Sequence, residues 1–66
     1  MEKVVFMIWR IGNDMCRIEA SDCRQEVRNL ADGGCICSLE VMLGVMNAIS
    51  DKIEKLGFVA VFQLAN

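Results

Sequence analysis

The four cysteines, at positions 16, 23, 35 and 37, are the residues of this chain best suited to chemistry. Four thiolates can hold a zinc ion in tetrahedral geometry. Structural zinc sites usually present two closely spaced pairs, whereas here only Cys35 and Cys37 are close together in sequence. Cys16 and Cys23 fall on the apolar faces of a predicted strand and a predicted helix, where a free cysteine behaves as a small hydrophobic residue. We therefore predict no metal and no other cofactor.

The segment around Cys35 and Cys37 joins two glycines, two cysteines and a serine immediately ahead of a predicted helix. A helix N-terminus lowers the pKa of a nearby thiol, and its free N–H groups bind anions. The segment matches neither the Walker pattern nor G-x-G-x-x-G. A weak site for a small anion or nucleotide is thus one hypothesis, and a zinc- or thiol-dependent switch through Cys35 and Cys37 is another. The predicted ligand-binding residues are Gly33, Gly34, Cys35, Cys37 and Ser38.

Catalysis is the function class that the composition favours least. The chain has no His, and no basic side chain lies next to either Cys35 or Cys37 in the sequence. General acid–base chemistry usually needs a His or paired carboxylates in a cleft. A small-molecule site typically occupies about 300 Å³ or more, which a domain of 66 residues has little room to enclose. We predict that the protein is not an enzyme.

The charged residues argue against nucleic acids and membranes as partners. Nine acidic residues stand against seven basic ones, and the basic ones are interspersed with acids instead of forming a stripe. The longest apolar helical run is well short of the ~20 residues that cross a bilayer. The apolar stretch that Arg10 ends is too short for a signal peptide. We expect a soluble cytoplasmic protein with reduced cysteines.

Two strands are predicted in the first third of the chain. Residues 3–11 are rich in β-branched and aromatic types and are apolar on both faces, as in a strand that is covered on both sides. Gly12-Asn13-Asp14 predicts a tight turn. Residues 15–20 alternate apolar and charged residues, which predicts a strand with one solvated face.

Two helices and a last strand are predicted in the remainder. Ser21 or Asp22 caps a short helix that runs to about residue 31 or 32 and ends at Gly33-Gly34. The sequence Cys-Ile-Cys at 35–37 fits either a short extended piece or a loop. Ser38 caps a main helix over about 39–56, and Gly57 lies just past its end. Residues 58–64 are a strand with two apolar faces.

The predicted architecture is a single α+β domain over residues 1–66, a small two-layer β-β-α-α-β fold. We expect a three-stranded antiparallel sheet with both helices on one face. The last strand should pair beside the first, because these two are the most apolar strands and belong together near the middle.

That arrangement leaves an apolar patch on the other face of the sheet. A domain of this size buries only about 60% of the surface that its unfolded chain exposes, and 55% of its residues are hydrophobic. Exposed patches of several hundred Å² are rare on monomers, so we expect a second chain, most simply in a two-fold dimer. Alternatively, the helices straddle both faces and the patch is interior. The predicted interface residues are Met7, Trp9, Ile11, Val59 and Val61.

These observations favour a small homo-oligomeric interaction protein that binds another macromolecule, which we expect to be a protein, and regulates or inhibits it. Short chains of this kind are common in phage and plasmid systems. The alternatives are an oligomeric protein that binds a small anion or nucleotide, and the zinc- or thiol-dependent switch described above.

Overall fold

The computed structural model describes residues 2–21, 24, 27 and 35–65. Its elements are strands β1 (Glu2–Arg10), β2 (Met15–Ala20) and β3 (Cys35–Ser38), a 3-10 turn (Leu39–Val41), helix α1 (Met42–Lys55) and strand β4 (Phe58–Leu64). The four strands form one sheet in the order β3-β2-β1-β4. The predicted helix that starts at Ser21 or Asp22 lies largely outside the described residues, although Val27 has helical backbone and is buried.

The α+β class is confirmed, but the prediction of a three-stranded antiparallel sheet was wrong. The sheet is mixed: β1 pairs antiparallel with β2 and parallel with β4, and β2 pairs antiparallel with β3. Residues 35–38 are the extra strand, one of the two conformations that the Cys-Ile-Cys sequence allowed. The last strand does lie beside the first, as predicted, and α1 returns the chain so that β4 runs in the same direction as β1.

The core lies between α1 and one side of the sheet, which we call the inner face. Alternate side chains of β1 and β2 enter it, as expected for a side-chain period of two, and α1 contributes two isoleucines from one of its faces. Phe6 stacks on Phe62 of β4 with their ring centroids 5.4 Å apart. The buried residues of the core are Val4, Phe6, Ile8, Cys16, Ile18, Val27, Cys37, Ile49 and Ile53.

Both predicted turns at glycine are confirmed. Gly12 has φ +123° between β1 and β2, and Gly57 has φ +90° between α1 and β4, a region that favours glycine. The Arg10 guanidinium braces the first turn by donating hydrogen bonds to the carbonyl oxygens of Gly12 (3.3 Å) and Asn13 (3.1 Å).

The main helix begins differently from the prediction. Ser38 occupies the cap position of the 3-10 turn, but its side chain makes no capping hydrogen bond. The N–H of Leu39 instead donates to the carbonyl oxygen of Asp14 over 2.8 Å. This bond extends the β2–β3 pairing by one residue and satisfies the first free N–H of the turn, and regular α-helix starts only at Met42.

Candidate functional site

The candidate site is the side of the sheet opposite α1, which we call the outer face. Strand alternation and the pairing register determine its members. Val5 lies opposite Val61, and Trp9 lies opposite Arg17. Its apolar members, taken across the sheet from β3 to β4, are Ile36, Met15, Val5, Met7, Trp9, Val59 and Val61.

Charged and polar side chains lie among the apolar residues of the outer face. Arg17 and Glu19 project from β2, and their side chains approach within 3.6 Å in a solvent-exposed ion pair. Lys3 lies opposite Val59, and Gln63 lies opposite Met7. The outer face therefore combines apolar side chains with charges of both signs, and Arg17 lies between Trp9 and Ile36.

Three of the predicted interface residues are exposed and two are half-buried. Trp9 is 41% exposed, Ile11 is 46% exposed and Val59 is 38% exposed, while Met7 and Val61 are half-buried. Four of the five lie on the outer face, and Ile11 lies one residue beyond the end of β1. Among the described residues, the helical ones are packed on the inner face, so none of them covers Trp9.

Sequence reasoning missed two residues that enlarge the apolar surface. Ile36 is 59% exposed on β3, and Met15 is 37% exposed at the start of β2. Strand alternation around the buried Cys37 would have placed Ile36 on the outer face, but residues 35–37 were not assigned to a strand. Met15 and Ile36 therefore add apolar area on β2 and β3, with Arg17 between Ile36 and Trp9.

A shallow depression of about 220 Å³ lies beside Trp9. It is lined by Met7, Trp9, Glu19, Ala20 and Ser21. Small-molecule sites typically measure about 300 Å³ or more and enclose most of the ligand. The depression is better suited to a side chain projecting from another protein surface.

A second depression, of about 190 Å³, lies at the end of the inner face between Ile8, Leu39, Met42 and Leu64. Arg10 is its one cationic lining residue, and the guanidinium is already bonded to the carbonyl oxygens of the Gly12 turn. The remaining lining is almost wholly apolar. This depression has no free group on the described residues that would recognise an anion.

The structure pairs Cys37 with Cys16 and not with Cys35. Cys16 and Cys37 are opposite each other on β2 and β3, and both are buried. Cys35 and Cys37 are two residues apart on one extended strand, a rise of about 6.6 Å. Their side chains project from the same face of the strand, so a disulfide between them would require β3 to distort. Cys23 lies outside the described residues.

The Cys37 thiol is poorly suited to nucleophilic or metal chemistry. Burial raises its pKa above the ordinary value, and the hydrogen-bonding contact with Cys16 raises it further. Thiolate is the reactive and metal-binding form, so a raised pKa favours an inert thiol. No group of three or more potential metal ligands comes together in the part of the chain that the structure describes.

Only part of the predicted anion-binding segment lies within the described residues. Gly33 and Gly34 lie outside the described residues, whereas Cys35–Ser38 form strand β3. Cys37 is directed into the core, and Cys35 and Ser38 are half-buried. The described part of this segment is therefore a hydrogen-bonded strand and not a loop before a helix, and anion binding there stays a prediction.

Comparison of this chain with protein families, with curated proteins and with solved structures gives no match. Within residues 2–21, 24, 27 and 35–65, no helix has both the length and the apolar character needed to cross a bilayer. Function has to be inferred from the surface described above.

Proposed function

We propose that this chain is a small, cytoplasmic, homo-oligomeric interaction protein that binds another macromolecule and regulates or inhibits it. The observation that supports the proposal is that Trp9, near the end of β1, is 41% exposed on an apolar outer face that no described element covers. Tryptophan is among the residues most enriched at interface hot spots. We propose Met7, Trp9, Ile11, Val59 and Val61 as contact residues, with Met15 and Ile36 extending the contact.

The size of the domain supports a whole-face contact. A standard interface takes about 800 Å² from each partner, which is about a fifth of the 4391 Å² accessible surface of this chain. One complete sheet face is thus needed. The outer face carries apolar residues on all four strands and is not covered by any described element, so it fits this requirement.

The charges on the outer face suit a second copy as the first partner. Arg17 and Glu19 place opposite signs side by side on β2, and the whole chain carries a net charge of only −2. Two copies related by a two-fold axis can set Arg17 of one against Glu19 of the other without a like-charge contact. The self-association that we propose is therefore isologous.

Sedimentation equilibrium at micromolar concentration tests the self-association. We expect a mass of at least twice the 7.4 kDa of the chain. Trp9→Ala should raise the dissociation constant about 30-fold, which corresponds to a hot-spot loss of about 2 kcal/mol. Leu43→Ala is the matched control, because Leu43 is 68% exposed but lies on α1, away from the outer face. An unchanged dissociation constant in Trp9→Ala, or an equal rise in Leu43→Ala, would contradict the proposal.

Capture from the source cell tests for the second macromolecule. Tagged wild type, Trp9→Ala and Leu43→Ala should be compared at equal loading. We expect a specific partner to be retained by wild type and Leu43→Ala and lost from Trp9→Ala. A partner retained equally by all three variants would place its binding elsewhere on the molecule.

A further inference from the structure

The sheet has two edges that differ in length and chemistry. One edge is β3, which has only four residues, and the other is β4, which has seven. Strand β4 has the sequence Phe-Val-Ala-Val-Phe-Gln-Leu, with no charge, no proline and no glycine. Natural edge strands are usually kept short or carry charge, proline or a bulge that prevents pairing with another chain. Strand β3 follows this rule by being short, and β4 shows none of these sequence devices.

The hydrogen bonds to β1 show which backbone groups of β4 remain free. The N–H of Ala65 donates to the carbonyl oxygen of Ile8 over 2.9 Å. In a parallel ladder alternate residues bond to the same neighbour, so Val59, Val61 and Gln63 also bond to β1. The residues between them direct their N–H and C=O groups to the free edge, where no described strand lies. These residues are Phe58, Ala60, Phe62 and Leu64.

We propose that β4 pairs antiparallel with β4 of a second copy of this chain, around a two-fold axis that passes beside Val61. In this register Ala60 lies opposite Phe62 of the second copy, and Phe58 lies opposite Leu64. Both members of each pair direct their backbone groups to the free edge, so every free N–H meets a carbonyl oxygen. The two sheets then join into one continuous sheet.

The side chains favour this register as well. Residues with even numbers on β4 lie on the inner face, and an even-to-even register keeps the inner faces of both copies on the same side. Leu64, which is 76% exposed, comes to lie beside Phe58 of the second copy, whose ring carries the Arg24 guanidinium of that copy 4.3 Å from its centre.

A second copy is the occupant that the strand's own chemistry favours. It brings an uncharged strand with the same alternation, so no like charges oppose each other along the two paired strands. A two-fold pair is also the commonest oligomer. The pairing rests on the proposed function only for the homo-oligomeric state. It uses the strand edge and leaves Trp9 accessible, so association through both surfaces gives an assembly larger than a dimer.

Amide hydrogen exchange followed by NMR tests the pairing on the wild-type protein. The amides of Ala60, Phe62 and Leu64 should exchange at least about tenfold more slowly at high protein concentration, where the edge is paired, than at low concentration. Those of Val61 and Gln63 are an internal control, since their bonds to β1 exist in both states. Fast exchange of the three edge amides at every concentration would overturn the proposal.

Proline at position 60 tests the same contact by sedimentation. Ala60→Pro removes an N–H that is directed to the free edge and leaves the β1 ladder intact, and prolines are tolerated at such positions. Ala60→Ser is the matched control because it retains the N–H. In a Trp9→Ala background, where contact through the outer face is weakened, we expect Ala60→Pro to raise the dissociation constant by about tenfold or more relative to Ala60→Ser.

The two proposals fail separately. Equal association of Ala60→Pro and Ala60→Ser would overturn the β4 pairing whatever Trp9→Ala does. A Trp9→Ala protein that associates as tightly as wild type, but whose association is lost on Ala60→Pro, would support the β4 pairing and contradict self-association through the outer face.

Discussion

Cys16 and Cys37 lie directly opposite each other on β2 and β3, with their sulfur atoms 3.6 Å apart inside the core. Both side chains are buried, whereas Cys35, two residues along β3, is only half-buried. The pair therefore acts as a packed, weakly hydrogen-bonded contact between two strands. This relationship gives the cysteines of the described region separate reactivities.

Alkylation should distinguish Cys35 from Cys37. In the native protein we expect iodoacetamide to modify Cys35 at least about tenfold faster than Cys37, because the latter is buried and its pKa is raised. Fragment-ion mass spectrometry resolves the two positions, and the reaction in concentrated urea, where the rates should converge, is the control. Equal native rates would show that the core does not protect Cys37.

Stability should fall at alkaline pH because of Cys37. Its folded pKa is raised above the ordinary value of 9.0, so as pH rises the unfolded thiol ionises first and the unfolded state becomes the one that binds fewer protons. The stability that the protonated Cys37 thiol gives the folded state is fully present below the ordinary pKa of a cysteine. It is lost as pH rises through the raised pKa of the folded state. Urea unfolding from pH 7 to 10 measures it. Cys37→Ala should show a shallower decline, and an identical slope in the variant would contradict the assignment.

The same substitution should have different costs on the two sides of the sheet. Ile18 is fully buried on β2, while Ile36 on the neighbouring β3 is 59% exposed. Ile18→Val should lower the free energy of unfolding by about 1 kcal/mol through lost burial and a small cavity. Ile36→Val should change it by less than about 0.5 kcal/mol in the monomer. Urea titration at submicromolar concentration measures both, and equal effects would contradict the placement of the core.

Two glycines with open space around them should respond in opposite directions to alanine. Gly57 has φ +90°, whereas Gly44 lies within α1, and an added Cβ would meet nothing within 4 Å at either site. Gly57→Ala should destabilise the fold by about 1 kcal/mol because its backbone conformation is strained for any residue with a Cβ. Gly44→Ala should stabilise it by about 0.5–1 kcal/mol through helix propensity. Thermal unfolding checks both signs.

The sequence predicted β1, β2, the Gly12 turn, the Gly57 turn and β4 because side-chain alternation and turn residues report directly on local backbone. The direction of β4 was not predictable, since parallel and antiparallel strands have the same alternation. Strand β3 was ambiguous because four residues with two cysteines carry almost no periodic signal. Because residues 35–37 were not assigned to a strand, Ile36 was also not predicted to lie on the outer face.

The neighbours of Trp9 could be predicted from the sequence to the extent that they lie on the two most apolar strands. Strand alternation placed Met7 and Trp9 on one face and Val59 and Val61 together on another strand. The prediction that β1 and β4 are adjacent then brought the four residues together, and the register confirms that adjacency. The free backbone groups of β4 depend on which side of β1 it occupies, and sequence alone does not fix that.

The parallel pairing of β1 with β4 ties the first strand of the domain to its last. A ribosome makes Val4, Phe6 and Ile8 early, yet their neighbours Ala60, Phe62 and Leu64 emerge only when translation of the domain is almost complete. Contacts so distant along the chain slow folding and prolong exposure of apolar segments. In the newly made chain, the apolar strand β1 therefore lacks its β4 neighbour until synthesis of the domain is almost complete. The yield of folded protein in the cell should then depend on chaperones and on the rate of translation.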